Sequence, residues 1–145
     1  MNLVDANILL YSVNESDRRH EEARSWLDGA LSGSATVGFA WLPLLAFLRL
    51  STKPGLFPSP LTVDQALDRV RRWLEQPTST VLEPTARHLG VLAGLLAEVG
   101  SGGNLTSDAH LAAIAVEHGA TVVSYDNDFD RFRGVTWRTP GSLNH

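Results

Sequence analysis

The stretch from Met1 to Val13, MNLVDANILLYSV, constrains the fold more than any other part of the chain. Leu3 and Val4 read as a short apolar strand, and Ile8, Leu9, Leu10 and Tyr11 form an apolar run that suits a helix following directly. Asp5 interrupts the two and so falls at a strand's carboxyl end. In an open parallel sheet that edge is where ligands bind, because helix starts and loops leave a crevice there. Asn7, two residues on, can orient or cap in the same place. On this stretch alone Asp5 is either the N-cap of the first helix or a binding-site acid, and the other segments must decide.

At 145 residues the chain is expected to form one domain over 1–145, large enough for a core without disulfides or metal staples. It has no cysteine, which removes any disulfide framework and any thiolate zinc site. No basic region is followed by a long apolar core, since Asp5 and Asn7 break the only candidate, so the expectation is neither signal peptide nor membrane span, and a cytoplasmic protein. Sixteen acids against twelve bases give a net charge of -4. That excess argues against a protein that coats nucleic acid by neutralising many phosphates, but it suits an enzyme whose acids gather around a cation.

Strands and helices are expected to alternate. Asp17 to Leu31 places Ala23, Trp26, Leu27, Ala30 and Leu31 at helical spacing, with Arg18, Arg19, His20, Glu21 and Glu22 on a solvated face. Ala35 to Phe39 reads as a second strand. Trp41 to Thr52, WLPLLAFLRLST, has Pro43 in its first turn and apolar residues on nearly every face, which predicts a central, largely buried helix. Arg49 is its only charge; it snorkels to the surface or, held near an active site, contacts a phosphate. KPGLFPSP is a loop. Thr62 and Gln65 form a capping box for a helix with Val63, Ala66, Leu67, Val70 and Leu74 inward, and Arg69, Arg71 and Arg72 near its end read as a solvated basic face. Ser79 to Leu82 is a third strand candidate. Glu83 to Val99 follows as a helix with Leu89, Leu92, Ala93 and Leu96 inward, closed by Gly100 and the loop SGGN.

SDAHLAAIAVEHGA is the next helix, and Thr121 to Ser124 a fourth strand. Asp108 stands in that helix's first turn, where any aspartate suits the dipole, yet it shares the stripe of Leu111, Ala112 and Ala115. Asp126 and Asp128 flank Asn127 just past the strand, the same topological position as Asp5. Turn chemistry accounts for an Asp-Asn-Asp triplet by itself, but not for three segments each delivering carboxylates to one sheet edge. Two carboxylates ~4 Å apart repel by about 4 kcal/mol at an effective dielectric near 20. The chain has a single lysine, Lys53, and its five histidines lack the pairings expected of zinc, so the natural counter-charge is a hard divalent cation such as Mg²⁺ or Mn²⁺. Such a cation polarises a phosphoryl oxygen and lowers the pKa of a bound water, which makes phosphodiester hydrolysis the natural reaction class.

The ordered set NLVDANILLY, HEEARSWL, FLRLSTKP, SDAHLAAIAVEHGATVVSYDNDF and GVTWRTP resembles the PIN-domain ribonucleases, specifically the VapC-type toxins of bacterial toxin–antitoxin pairs. The resemblance implies a three-layer α/β fold with a central parallel sheet flanked by helices, and Mg²⁺- or Mn²⁺-dependent endonuclease activity on cellular RNA of the tRNA or rRNA class. It also implies homodimers, a cognate VapB-type antitoxin and no membrane association. By matching position it assigns Asp5, Asp108 and Asp126 as catalytic metal-site acids and Asp128 as a weaker fourth, with Asn7, Ser124 and Arg49 in support. One position departs: many members carry a glutamate three residues before the arginine matching Arg49, and here it is Ala46.

A phosphoacceptor receiver module also gathers aspartates at a sheet edge, but it calls for adjacent acids after the first strand and a lysine after the last, and neither is present. A phosphotransferase with a DxD nucleophile fails because Asn7 stands where its second acid belongs. A catalytically impaired PIN domain that only binds RNA or a partner is the remaining alternative, given Ala46.

Overall fold

Apolar side chains that alternate along short strands have to be covered on both sheet faces, and this chain does so with helices on each. The computed structural model describes residues 1–100 and 102–143. In chain order the elements are β1 (Asn2–Val4), α1 (Ala6–Val13), α2 (His20–Leu31), β2 (Val37–Phe39), α3 (Trp41–Thr52), α4 (Val63–Glu75) and β3 (Ser79–Val81). They continue with α5 (His88–Val99), α6 (Thr106–His118), β4 (Thr121–Val123), β5 (Trp137–Arg138) and α7 (Pro140–Leu143). The five strands form one sheet in the order β3-β2-β1-β4-β5, with every pairing parallel. This is the expected three-layer α/β fold.

The two-residue period of a strand splits the core into two halves. Val4, Val37, Phe39 and Val123 pack with α1–α4 around Ile8, Leu27, Phe47 and Trp73. Leu3 and Val122 point the other way, onto α5 and α6, with Leu95, Ala112 and Phe129. Strand order reverses at β1: the chain goes outward through β2 and β3, then returns to place β4 on the other side of β1. The carboxyl ends of β1 and β4 therefore border the crevice that a switch point creates.

Several expectations are corrected. β5 was not foreseen, because two residues carry no period; it exists through parallel pairing of Trp137 and Arg138 with Val122 and Val123. Helix α2 begins at His20 rather than Asp17, since the Asp17 carboxylate accepts the Arg19 backbone N–H and forms a turn before the helix. Helix α5 begins at His88 rather than Glu83, because Thr85 N donates to the Glu117 carboxylate of α6 at 2.8 Å and holds the intervening residues as a loop. His88 is turned inward onto the same carboxylate, 2.6 Å away. The next residue lies about 100° around the helix, and Leu89 accordingly points out, 78% exposed, where an inward position was expected. Ala93 is also exposed, and Leu95 is the residue of α5 that is buried.

Helix α3 is not buried on all sides. Pro43, Leu44, Phe47 and Ser51 face the core, while Trp41, Leu42 and Leu45 are 39–55% exposed, because α3 packs on α1 and α4 along one side only. In α4 the inward stripe is Ala66, Val70 and Trp73, and Val63 and Leu67 are exposed. Its capping box forms as expected, with Gln65 N on Thr62 Oγ1 and Thr62 N on Gln65 Oε1. Gly100 closes α5 in the left-handed conformation, and Ser101 of the SGGN loop lies outside the described residues. Among the described residues no helix is long and apolar enough to cross a membrane.

Gly38 of β2 is required by close approach. A Cβ there would stand 2.6 Å from Leu82 Cδ1 and 3.3 Å from the Asn2 carbonyl oxygen. Gly38→Ala should therefore destabilise the fold by about 1–3 kcal/mol through overpacking, read from urea unfolding. In a Leu82→Ala background the same change should cost less, because the space it needs has been vacated; an equal cost in both backgrounds would show that Leu82 is not what excludes the methyl.

Candidate active site

Asp5 follows β1 directly, and its backbone N–H joins the ladder by donating to the Val123 carbonyl of β4 at 3.0 Å. The Asp5 side chain caps α1: Oδ1 accepts the Ala6 N–H at 2.7 Å. The two roles left open by the sequence are thus compatible, since a carboxylate has a second oxygen. That oxygen, Oδ2, accepts the Ser124 hydroxyl at 2.7 Å.

Ser124 is fully buried and saturated. Its single proton goes to Asp5, while its Oγ accepts the Asn7 side-chain amide at 2.9 Å and the Asp126 backbone N–H at 2.9 Å. Asn7 Oδ1 in turn accepts the Tyr125 N–H at 3.1 Å. Asp126 caps the short helical turn Asn127–Arg131, with Oδ1 accepting the Asp128 N–H at 2.9 Å. The bonds from Ser124 to Asp5, from Asn7 to Ser124 and from Tyr125 to Asn7 join the end of β1 to the end of β4, residues that lie over a hundred positions apart in the chain.

Asp108, in the first turn of α6, completes the arrangement. Carboxylate oxygens of Asp108, Asp126 and Asp128 can all lie within 4.8 Å of one another, and each of these residues is half-buried. Asp5 lies outside that tight trio, although its charge and that of Asp126 still act on each other. Of the expected site residues, the fold thus brings Asp5, Asn7, Asp108, Ser124, Asp126 and Asp128 to one edge. Arg49 and Ala46 border the same place from α3: with Asp5, Asp108, Leu42 and Leu45 they line a cavity of about 330 Å³.

The electrostatics are those of unneutralised acids. Burial pushes the Asp108 carboxyl up to about 7, helped by the charges of Asp126 and Asp5 and by a hydrogen bond to Asp126 that favours the protonated form. Burial also raises Asp5, but there the bonds from Ser124 and Ala6 oppose the shift. Among the described residues the only basic partner of the four acids is the exposed Arg131, 3.4 Å from Asp128. Such an all-oxygen donor set, with charge left over, fits a hard divalent cation.

A family model, the PIN domain, matches residues 3–135. The chain belongs to the PIN domain family. It is 56% identical over 143 residues to ribonuclease VapC37 of Mycobacterium tuberculosis, with 99% of each chain covered. Among solved structures, the sarcin-ricin loop cleaving toxin VapC20 of M. tuberculosis superposes with a TM-score of 0.68 at 19% identity, over 94% of this chain and 99% of that one. VapBC2 of Rickettsia felis, bound to a DNA fragment from its promoter, gives 0.70 at 16% identity, over 95% and 97%. The relatives' names make this PIN domain a ribonuclease of the VapC kind, and the structural neighbours share its fold.

Two features of this PIN domain site escaped the sequence reading. Tyr125 lies inside the bonded group through its backbone N–H, yet nothing in SYDND marks it beyond its place between Ser124 and Asp126. His20, expected on a solvated face, is half-buried with Nδ1 2.8 Å from the Tyr11 carbonyl oxygen. A hydrogen-bonded histidine pair, which the sequence reading did not single out, lies away from the acids: His88 Nε2 and His110 Nδ1 are 2.9 Å apart, with His88 tied to Glu117.

The raised Asp108 pKa carries a stability consequence with a definite sign. The unfolded carboxyl ionises near 3.8 and the folded one near 7, so between these values the native state binds more protons than the unfolded state. Stability of the metal-free protein from this group is then highest below pH 3.8, falls as pH rises, and stays low above 7. With chelator present, Asp108→Asn should add about 1–2 kcal/mol at pH 8, the shift being discounted for partial solvent screening. That corresponds to roughly 2–8 °C in Tm. The gain should be smaller at pH 5, and calorimetric melts at both pH values check this; an equal gain at both would mean that the carboxyl titrates normally.

Proposed function

We propose that this chain is a divalent-metal-dependent endoribonuclease, the toxin of a type II toxin–antitoxin pair, that hydrolyses RNA phosphodiester bonds at the carboxyl ends of β1 and β4. The observation that carries the reading is the convergence of four carboxylates from three segments at a switch-point crevice with an open cavity beside it. Asp108, Asp126 and Asp128 would hold the cation together with Asp5, either Mg²⁺ or Mn²⁺. When bound, it supplies Lewis-acid polarisation of the phosphoryl oxygen and a water of lowered pKa.

The chain's own groups do the positioning. Ser124 fixes Asp5 Oδ2 and the Asp126 backbone with one hydroxyl, and Asn7 holds both Ser124 and Tyr125, so the acids keep their orientation without a ligand. Arg49, which lines the same cavity as Asp5 and Asp108, is suited to hold the scissile phosphate. RNA of the tRNA or rRNA class is the proposed substrate, in keeping with the ribonuclease relatives, and the work is proposed to be cytoplasmic. The VapBC2 neighbour, whose name joins a VapB to a VapC, supports a cognate VapB-type antitoxin partner. The exposed Trp41, Leu42 and Leu45 of α3 offer apolar area to a second copy in a homodimer.

The second reading, an impaired PIN domain that binds RNA or a partner without cutting, rests on Ala46, because its methyl lines the cavity beside Asp5 and Asp108 where relatives would extend a carboxylate. An RNA cleavage assay with and without Mn²⁺ separates the two. Asp5→Asn, Asp108→Asn and Asp126→Asn should each lower cleavage by more than roughly 100-fold, at or beyond the upper end for groups that merely support a metal ligand. Full activity in any two of them would refute the site.

Ala46 also sets an expected metal preference. With one carboxylate fewer, Mg²⁺ binding should be weak and Mn²⁺ should activate more strongly at equal concentration. Ala46→Glu should tighten binding of both ions by isothermal titration, the 330 Å³ cavity giving the longer side chain room. Unchanged affinity in the folded variant would mean that a carboxylate at this position does not reach the cation.

A further inference from the structure

Arg19, which the sequence pattern assigned to solvent, is tied to the site through Tyr125, the residue between Ser124 and Asp126. It precedes α2, and its guanidinium lies 3.9 Å from the centre of the Tyr11 ring and 5.5 Å from that of Tyr125. Its Nε and Nη2 reach the two oxygens of Asp17 at 3.2 and 3.5 Å, which fixes the plane of the group over the rings. Tyr11 and Tyr125 stand 5.6 Å apart, centre to centre, and the Tyr125 hydroxyl donates to Glu22 of α2 at 2.8 Å.

Tyr11 is four residues after Asn7, so the two share a face of α1. Asn7 holds the backbone N–H of Tyr125, and Tyr11 meets its ring. Tyr125 is therefore held at backbone, ring and hydroxyl, and its two chain neighbours are Ser124 and Asp126. We infer that Arg19 is a positioning residue for the acidic site: stacked on Tyr11 and Tyr125 and aligned by Asp17, it clamps the β4 end so that Asp126 and Asp128 keep the spacing a cation needs. This rests on the metal-site reading given above. A planar cation suits this place: the guanidinium sits over the Tyr11 ring, within reach of the Tyr125 ring, while two of its nitrogens meet Asp17, whereas an ammonium is a point charge without that fork.

Three roles for Arg19 give different results. If it acted only through its charge, removal would leave the neighbourhood more negative and tighten Mn²⁺. If it bound RNA phosphate, removal would raise KM, and lysine would restore much of it. As a positioning residue, its removal weakens Mn²⁺ and lowers kcat with KM kept, and lysine does not rescue. Its side chain is 35% exposed, so truncation opens no core cavity.

The test is isothermal titration of Mn²⁺ into wild type, Arg19→Ala, Arg19→Lys, Tyr125→Phe and Asp126→Asn, with cleavage of total bacterial RNA as the second readout and a melt of each variant as the folding check. Arg19→Ala and Arg19→Lys should both weaken Mn²⁺ by roughly 10-fold, the lower end for groups supporting a metal ligand, and lower kcat at unchanged apparent KM. Tyr125→Phe keeps the ring and loses only the Glu22 bond, and it should weaken Mn²⁺ by less, in the same direction; it also keeps the test open if an Arg19 variant does not fold. Unchanged or tighter Mn²⁺ in the folded variants, a rise in KM at constant kcat, or rescue by lysine overturns the clamp. Wild-type affinity in Asp126→Asn overturns the metal reading itself, and the clamp with it.

Discussion

The pairing of β1 with β4 is the constraint on which the site depends, and Ser124 is where it becomes chemistry. A serine hydroxyl has one proton and two lone pairs, and here the proton is spent on Asp5 while the lone pairs meet Asn7 and the Asp126 backbone. The residue is fully buried, so none of these bonds competes with water. Loss of the hydroxyl would take a partner from two part-buried donors, the Asn7 amide and the Asp126 N–H. A threonine's extra methyl would have to fit beside the bonded groups, and an alanine would leave Asp5 Oδ2 dependent on the long contact to Asn7, 3.5 Å. The acids of the two strand ends are thus aligned by the act of closing the sheet.

The same closure brings the acids together at a cost. Repulsion of about 4 kcal/mol between carboxylates ~4 Å apart at an effective dielectric near 20 is comparable to much of the 5–15 kcal/mol by which a domain of this kind is usually stable. The molecule answers differently at each position. Asp5 receives hydrogen bonds that favour its charged form, against the burial that raises it. Asp108 receives none that lower its pKa; it bonds Asp126 as an acid and holds its proton to about 7. The charge that is left uncompensated is therefore concentrated where α6 faces β4, and a cation there would bind to a site already aligned by its neighbours. Stability given up at a functional centre in this way is a common exchange.

The sheet, its parallel sense and the sequence order of the acids were legible because short apolar strands alternate with amphipathic helices, and Asp5 and Asp126 each come just after a strand. Asp5, Asp108 and Asp126 could be singled out as one group because they recur at one topological edge, not because any one of them is unusual. What was not legible depends on partners distant in sequence. Leu89 turns outward because His88 and Thr85 are held by Glu117, some thirty residues on. Helix α3 looks largely buried by composition, yet the fold supplies packing for only one side. Arg19 and Tyr125 carry no periodic signal, since a stacked cation is indistinguishable in sequence from a solvated one. The two-residue β5 is a product of the sheet rather than of its own residues.

Ala46 shows how packing and electrostatics trade against each other at this site. A glutamate there would reach toward Asp5 and Asp108 across the cavity and add a further negative charge to a group that already keeps Asp108 protonated near neutrality. In the metal-free protein that charge would have to be screened, protonated or tolerated, and each choice costs stability before any ion is bound. The methyl avoids this and leaves room bounded by Leu42 and Leu45 on one side and by Arg49 on another. The fold would then depend less on a cation for its stability, while a cation bound there would be held by fewer charges. Arg49, which also lines the cavity, has no carboxylate three or four residues before it, so no intrahelical ion pair from that side competes for its charge.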